Sequence, residues 1–582
     1  MKRHTVAIGV TGLACVIALT VHSLLCPAAA SAAATKVMAD TILLDSMDGE
    51  LHRAMSSLGG SDSQPKPYFI SYSVSDANMI SIGAQYGAIV SSNQAHRRMA
   101  DIQVRLGSPA EDNTHGDHRN SALTTIPLPL SDDRDVIARS LWYATNRGYA
   151  KALDAYLKVK TEQQVRAKEE DSSGDFSTES KQPNGRDSIL APPPPLNVDT
   201  SAWEGRIREL SASFQQYPDI FFDSISLTAS SETDYFVSSE GARVSTPLHV
   251  ARLVIVARAR AADGMDLFRV ETFESDDASH LPDQKTILEK SRAMAQNLIA
   301  LRSAPITEPF SGPAILSGRA SAVFFHEVLG HRLEGQRQRG DQEGQTFTKQ
   351  LNMSILPSFL SVADDPTLAS FHGNALSGHY SFDDEGQPAQ RVDLIKDGVL
   401  KTFLMSRLPI ASFSDSNGHG RAELGHMPAG RQGNLIVTSS KTVSDAQLRQ
   451  MLIDEAKKQG RPYGLYFEDI SSGFAVTTRN SPQAFSVIPL VVYRVYVDGR
   501  PDELVRGVSI VGTPQTALKN ILATNDHQDI FNGICGAESG QIPVSAVAPA
   551  MLLSSLETQR QAQGTARPPI LPPPSADGKE AR

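Results

Sequence analysis

Hydrophobic positions change their period several times along this chain, and each change predicts an element. Residues 36–58 place apolar side chains at helical spacing and stop at Gly59-Gly60, a pair suited to ending a helix. From Tyr68 to Leu106 the pattern alternates. In ADIQVRLG, Ile102, Val104 and Leu106 take one face and Asp101, Gln103 and Arg105 the other, as in a half-buried strand. Helical spacing returns over 132–166, with Ser131 in position to cap it. Residues 36–166 therefore read as an N-terminal α/β domain.

Residues 167–198 break the pattern. They are charged and Ser-rich and run into four consecutive prolines, so they cannot bury a core and read as a disordered linker. The tail, 559–582, reads the same way. Between them, 199–558 opens with an amphipathic helix and continues as strands. HVARLVIVARA and MDLFRVETF are joined by Asp263-Gly264, and a second hairpin turns at Asp397-Gly398. Helices are predicted at 283–301 and 443–458. No internal repeat is visible. The expected fold class is α+β: an α/β N-terminal domain followed by a β-rich C-terminal domain.

Composition narrows the partners. The 582 residues hold 55 Lys and Arg against 65 Asp and Glu, a formal net charge of −10, with no basic run. That is the wrong balance for a nucleic-acid surface. The N-terminus is basic at Met1–His4, apolar to residue 25, and then alanine-rich with Ala30-Ser31-Ala32 as a cleavage site. Residues 1–32 are thus expected to be a signal peptide. An uncleaved N-terminal anchor is the alternative, and the only basis for membrane attachment. The expected location is extracytoplasmic, periplasmic or secreted. Of three cysteines, Cys15 and Cys26 lie in that segment, which leaves Cys535 alone in the mature chain.

The chemistry concentrates in FFHEVLGHRLEGQRQ, Phe324 to Gln338. His326 and His331 flank Glu327 at a spacing of i and i+5. On a regular helix such positions diverge by about 140°, against about 40° for i and i+4. Convergence on one ion requires the helix to break between them, as a bulge or an early end, and Gly330 is the expected place. Two imidazoles suit Zn²⁺, which lowers the pKa of a bound water, and Glu327 is placed to accept its proton. A third ligand must come from elsewhere. His372, His379, His419, His426, His527, Cys535 and many carboxylates are available, and spacing selects none. Asp383-Asp384-Glu385-Gly386 lacks calcium-loop spacing and reads as a hairpin turn. Arg421, Arg431 and Asn434 sit in a Gly-rich stretch that could line a cleft, with the two arginines read first as surface-loop residues.

His326-Glu327-x-x-x-His331 followed by Leu333-Glu334-Gly335 resembles the motif of the TldD/PmbA metallopeptidase family. Ser239-Glu240-Gly241, the Asp384-Glu385-Gly386 turn, the Asp397-Gly398-Val399-Leu400 hairpin, Gly533-x-Cys535-Gly536 and Gly540-Gln541 follow in the family's order. The resemblance covers about 225–556 and retains the metal motif, as in active, TldD-like members. It implies a zinc peptidase with His326, His331 and Cys535 as ligands and Glu327 as catalytic acid/base. It also implies peptide or unfolded-segment substrates, and a homodimer or a heterodimer with a PmbA-type paralogue. The alternative is a non-catalytic, metal-containing scaffold or binding subunit of such a dimer. Members familiar from this family are cytoplasmic, whereas this chain carries the signature of export.

Overall fold

The computed structural model describes residues 41–162, 171–177, 186–190, 193–339, 343–481 and 483–561. The signal segment 1–32 and the tail beyond 561 lie outside the described residues. No described helix is long and apolar enough to cross a membrane.

The first layer is an eight-stranded sheet. Its main strands are β1 (Pro67–Gln85), β2 (Ala88–Ser108), β3 (Ile220–Ser238), β4 (Ala242–Arg260) and β5 (Asp266–Ser275). They run in the order β2-β1-β3-β4-β5, every main-strand pair antiparallel. Helices α1 (Thr41–Ser57), α2 (Arg134–Glu162), α3 (Thr200–Ala212) and α4 (Gln284–Ser303) accompany it. ADIQVRLG forms a strand in the β1–β2 ladder, where Ile70 faces Val104 and Tyr72 faces Ile102, but Asp101, Gln103 and Arg105 are buried as well, so the strand is covered on both faces rather than half-buried. The expected cap of α2 shifts by two residues. Asp133 Oδ1, not Ser131, accepts from the amides of Asp135 and Val136, at 3.0 and 3.1 Å.

This sheet draws its strands from both sides of the expected linker. β1 pairs with β3 from Ser71–Ser238 to Ala84–Ile225, so residues on both sides of the linker share one sheet. Alternation shows that 220–275 is strand, but not which strands it joins; the long-range pairing decides that. The strands up to β5 belong to this first sheet and those from β6 (Ser311–Leu316) onwards to a second, while the described residues from Ile42 onwards form one compact unit. The linker is also not wholly outside the fold. Asp171, Asp175, Phe176 and Ser177 are buried. The Phe176 ring is sandwiched between the guanidinium groups of Arg105 and Arg407, each 3.9 Å from its centroid. Composition forbids a core of its own, but one aromatic can borrow a neighbour's. Residues 163–170 and 178–185 of the linker region lie outside the described residues.

The second layer is a twelve-stranded sheet. After β6 come β7 (Leu360–Asp364), β8 (Val392–Lys396), β9 (Asn434–Ser439), β10 (Tyr463–Ala475), β11 (Phe485–Tyr496), β12 (Val508–Gly512), β13 (Ile521–Ala537) and β14 (Gly540–Arg560). The path is β8-β7-β9-β14-β12-β11-β10-β6, and β6 pairs back to β14, so part of the sheet closes on itself. β14 carries through to Arg560, into the segment expected to be tail. Two helices beyond the motif belong here, α6 (Asp445–Lys458) and α7 (Pro514–Lys519); the latter, six residues long, has too little periodicity to read from sequence.

Within this half lies α5 (Gly318–Val328), every described side chain of which is buried from Ala320 onwards. A helix buried all round is apolar all round, which is why VFF precedes His326. Ser317 Oγ caps it by accepting from Ala320 N at 3.1 Å and donates to Glu468 O at 2.7 Å.

Candidate metal centre

α5 ends at Val328, and Gly330–Leu333 continue as a tighter 3₁₀ turn. The expected break at Gly330 is therefore present, as an early end. Gly330 is needed there: a Cβ would stand 1.9 Å from Gln432 Oε1. The turn swings His331 back so that its ring centroid lies 4.9 Å from that of His326.

The third donor comes from a different strand. Cys535 lies in β13, opposite Ile542 of β14. Its Sγ is 3.3 Å from Nε2 of His326 and 3.3 Å from Nε2 of His331. The three donor atoms lie within 4.8 Å of one another, and among the described residues no other group of His, Cys, Asp and Glu meets that test. His419, by contrast, pairs with Asp364 at 3.3 Å, and His379 with the Pro366 carbonyl at 2.8 Å.

The surroundings fit a cation. Nδ1–H of His331 donates to Glu334 Oε1 at 3.0 Å, which leaves Nε2 free to ligate. Burial alone would raise the Glu334 carboxyl, but His331, Arg337 and Arg431 overcome it and hold it at about 2. Burial would likewise raise the Cys535 thiol, yet His331 and His326 bring it well below its ordinary value. The thiolate is the form that binds metal. Glu327 Oε2 is 3.9 Å from His331 Nε2, on the same cleft.

Arg431 was expected on a surface loop and is instead fully buried against this centre. Its Nη2 donates to Cys535 O at 2.9 Å and to Sγ at 3.2 Å, and its Nη1 to Ser539 Oγ at 2.8 Å. Arg421 and Asn434 are buried as well: Arg421 donates to Gln432 O and Pro543 O, and Asn434 to Asp365 O and Leu368 O. A Gly-rich stretch looks like a surface loop in sequence; here its glycines let backbone and arginines pack inward. Gly430, for example, has Leu404 O within 2.2 Å of where a Cβ would be. The turn read at Asp383–Gly386 is a turn, with Gly386 at φ +73° and Asp383 Oδ1 accepting from Glu385 N at 3.0 Å and Gln387 N at 2.8 Å.

The centre opens on a cleft of about 560 Å³, lined among others by Arg319, Glu327, Arg337, Gly473, Phe531 and Glu538. Donors gathered from a helix end and a distant strand, beside one carboxylate and an open cleft, have the composition of a hydrolytic metal site.

Comparison with known proteins agrees. Residues 310–560 match the family profile described as the PmbA/TldA metallopeptidase C-terminal domain. That stretch is a PmbA/TldD-family domain. The chain is 27% identical over 264 residues to a protein named metalloprotease TldD homolog from Buchnera aphidicola, covering 44% of this chain and 50% of that one. It is 26% identical over 278 residues to the Haemophilus influenzae protein of the same name, covering 47% and 53%. The chain thus spans about half the length of the curated relatives it matches. In fold the likeness runs further. TldE from Thermococcus kodakarensis superposes with a TM-score of 0.59 at 13% identity, covering 88% of this chain and 100% of that one. A putative modulator of a DNA gyrase from Thermotoga maritima gives 0.55 at 15%, covering 84% and 96%.

Proposed function

We propose that this chain is a zinc-dependent peptidase acting on peptides or unfolded segments outside the cytoplasm, with His326, His331 and Cys535 as the metal ligands. The observation that carries the reading is the convergence of those three donors beside Glu327. Zinc bound there supplies Lewis acidity to a water and to the scissile carbonyl. A set of two imidazoles and one thiolate leaves a position for water, and its softness favours zinc.

The chain's own residues do the rest. Glu327 takes a proton from the attacking water as that water adds to the carbonyl carbon. It returns the proton to the amide nitrogen as the C–N bond breaks, giving a carboxylic acid and an amine. Glu334 fixes the His331 ring, and Arg431 holds the Cys535 backbone and sulfur together. Substrate reaches the site as an extended chain through the cleft, and pairing with a second copy or with a PmbA-type paralogue belongs to the same proposal.

The test is direct. The purified chain loaded with zinc is expected to cleave an unstructured peptide, and chelation is expected to abolish this. Glu327→Gln is expected to keep its zinc and lose the activity. Undiminished cleavage by that variant would overturn the reading.

A further inference from the structure

Arg332 is 2% exposed, yet among the described residues it forms no ion pair with a carboxylate. Its donors go to neutral carbonyls. Nη1 reaches Glu327 O at 3.1 Å and Val328 O at 3.4 Å, and Nη2 reaches Val476 O at 3.2 Å and Ala484 O at 3.0 Å. Its Nε has no hydrogen-bond partner among the described residues. Burying a cation with only neutral acceptors is unfavourable. An apolar side chain would fill the space at lower cost, so the arrangement is explained by what the guanidinium joins.

It joins two elements. Glu327 O and Val328 O are among the last carbonyls of α5, whose C-terminal end attracts a cation. Val476 and Ala484 extend the β10–β11 hairpin, where Val476 N donates to Ala484 O at 2.9 Å. On that hairpin Gly473 packs directly against Glu327: a Cβ at Gly473 would lie 2.7 Å from Glu327 Cγ. Ser471–Ala475 and Thr477 line the cleft. Glu327 is thus held twice, at its backbone by Arg332 and at its side chain by the hairpin that Arg332 also holds.

We propose that Arg332 is a positioning residue that sets the carboxylate of Glu327 relative to the cleft by tying the end of α5 to the β10–β11 hairpin. This rests on the peptidase reading above. A displacement of about 1 Å at such a group costs on the order of 100-fold in rate.

Arg332→Met keeps the bulk and removes every donor; Arg332→Lys keeps the charge and fewer donors. Zinc content, kcat and KM on an unstructured peptide, and amide exchange of the hairpin are to be measured for both and for the parent. Arg332→Met is expected to hold zinc at the parental stoichiometry with KM within about 3-fold, and to lose about 30-fold or more in kcat. Arg332→Lys should fall between, and exchange in 471–477 should rise in Arg332→Met while that of α6 stays the same. Parental kcat in Arg332→Met, or zinc lost in step with kcat, overturns the proposal. Should the zinc-loaded parent itself fail to cleave, the peptidase reading falls. The exchange measurement then decides on its own, with unchanged protection of the hairpin counting against Arg332.

Discussion

Nδ1 of His331 lies 3.0 Å from Oε1 of Glu334, three residues on, and this short link decides which ring nitrogen faces Cys535. Glu334 is fully buried and receives Nε of Arg337 at 2.7 Å on its other oxygen. The carboxylate is therefore anchored before it orients the ring. The same five-residue stretch that holds His331 supplies its support, which gives Leu333-Glu334-Gly335 a physical role beyond its value as a motif.

Removing that support should weaken metal binding without unfolding the chain. Glu334→Gln keeps the shape and gives up the charge. Its zinc affinity is expected to fall by about 10- to 100-fold, read by competition against a chromophoric chelator. Activity lost at limiting zinc should return at excess zinc. Parental affinity would show that the His331 ring is fixed by something other than Glu334.

Gly330 allows the helix to end where it does. In Gly330→Ala the new methyl meets Gln432 Oε1 at 1.9 Å, and Gln432 is itself buried and cannot swing into water. A stability loss of about 1–3 kcal/mol is expected. Adding Gln432→Ala should recover a large part of it, since the two side chains compete for one space. Chemical denaturation of the four-member cycle measures the coupling, and strict additivity would rule out the steric account.

The motif and its break were legible because they depend on local rules: helical angle, residue chemistry and the special status of glycine. Strand existence was legible for the same reason, as ADIQVRLG shows. What the sequence hid is long-range. Whether 220–275 joins β1 or the second sheet depends on pairing across some 150 residues of chain. Alternation, with a period of two, is the same for either partner. The proximity of Cys535 to the histidines is of this kind too: spacing alone left every downstream histidine open, and the resemblance singled out the cysteine. Arg431 was hidden differently. A Gly-rich run has the composition of a surface loop, and the exception, glycine used for close packing, is visible only once Leu404 O is seen against Gly430.

Because the three donors come from α5, its trailing turn and β13, a bound ion ties the helix to the sheet. At free zinc about 1,000-fold above its Kd, binding adds about 4 kcal/mol to stability. Chelation is therefore expected to lower the thermal midpoint by several degrees, and zinc to restore it. In Cys535→Ala the midpoint should respond little to either. A chelator-insensitive parent would argue against an ion in this place.

Away from His326, His331 and Cys535, the buried carboxylates of the Asp383–Gly386 turn give stability a pH dependence of defined sign. Burial pushes Glu385 up to about 7, against the opposing pull of Arg407, Arg105 and Arg119. Burial and the neighbouring Glu385 raise Asp383 well above its ordinary value. A carboxyl whose folded pKa is raised binds its proton more tightly in the native state than in the unfolded chain. Its contribution is fully present below the unfolded value, near 4.5 for Glu385, and is lost as pH rises through about 7. Each unit of displacement is worth about 1.4 kcal/mol. Glu385→Gln removes that titration, and its amide oxygen can still accept from Arg407 N, which reaches Glu385 Oε2 at 2.6 Å. The parent is expected to lose stability between pH 5 and pH 8 in urea unfolding, and Glu385→Gln to lose less over the same interval. Parallel slopes for the two proteins would mean that this turn does not hold the proton.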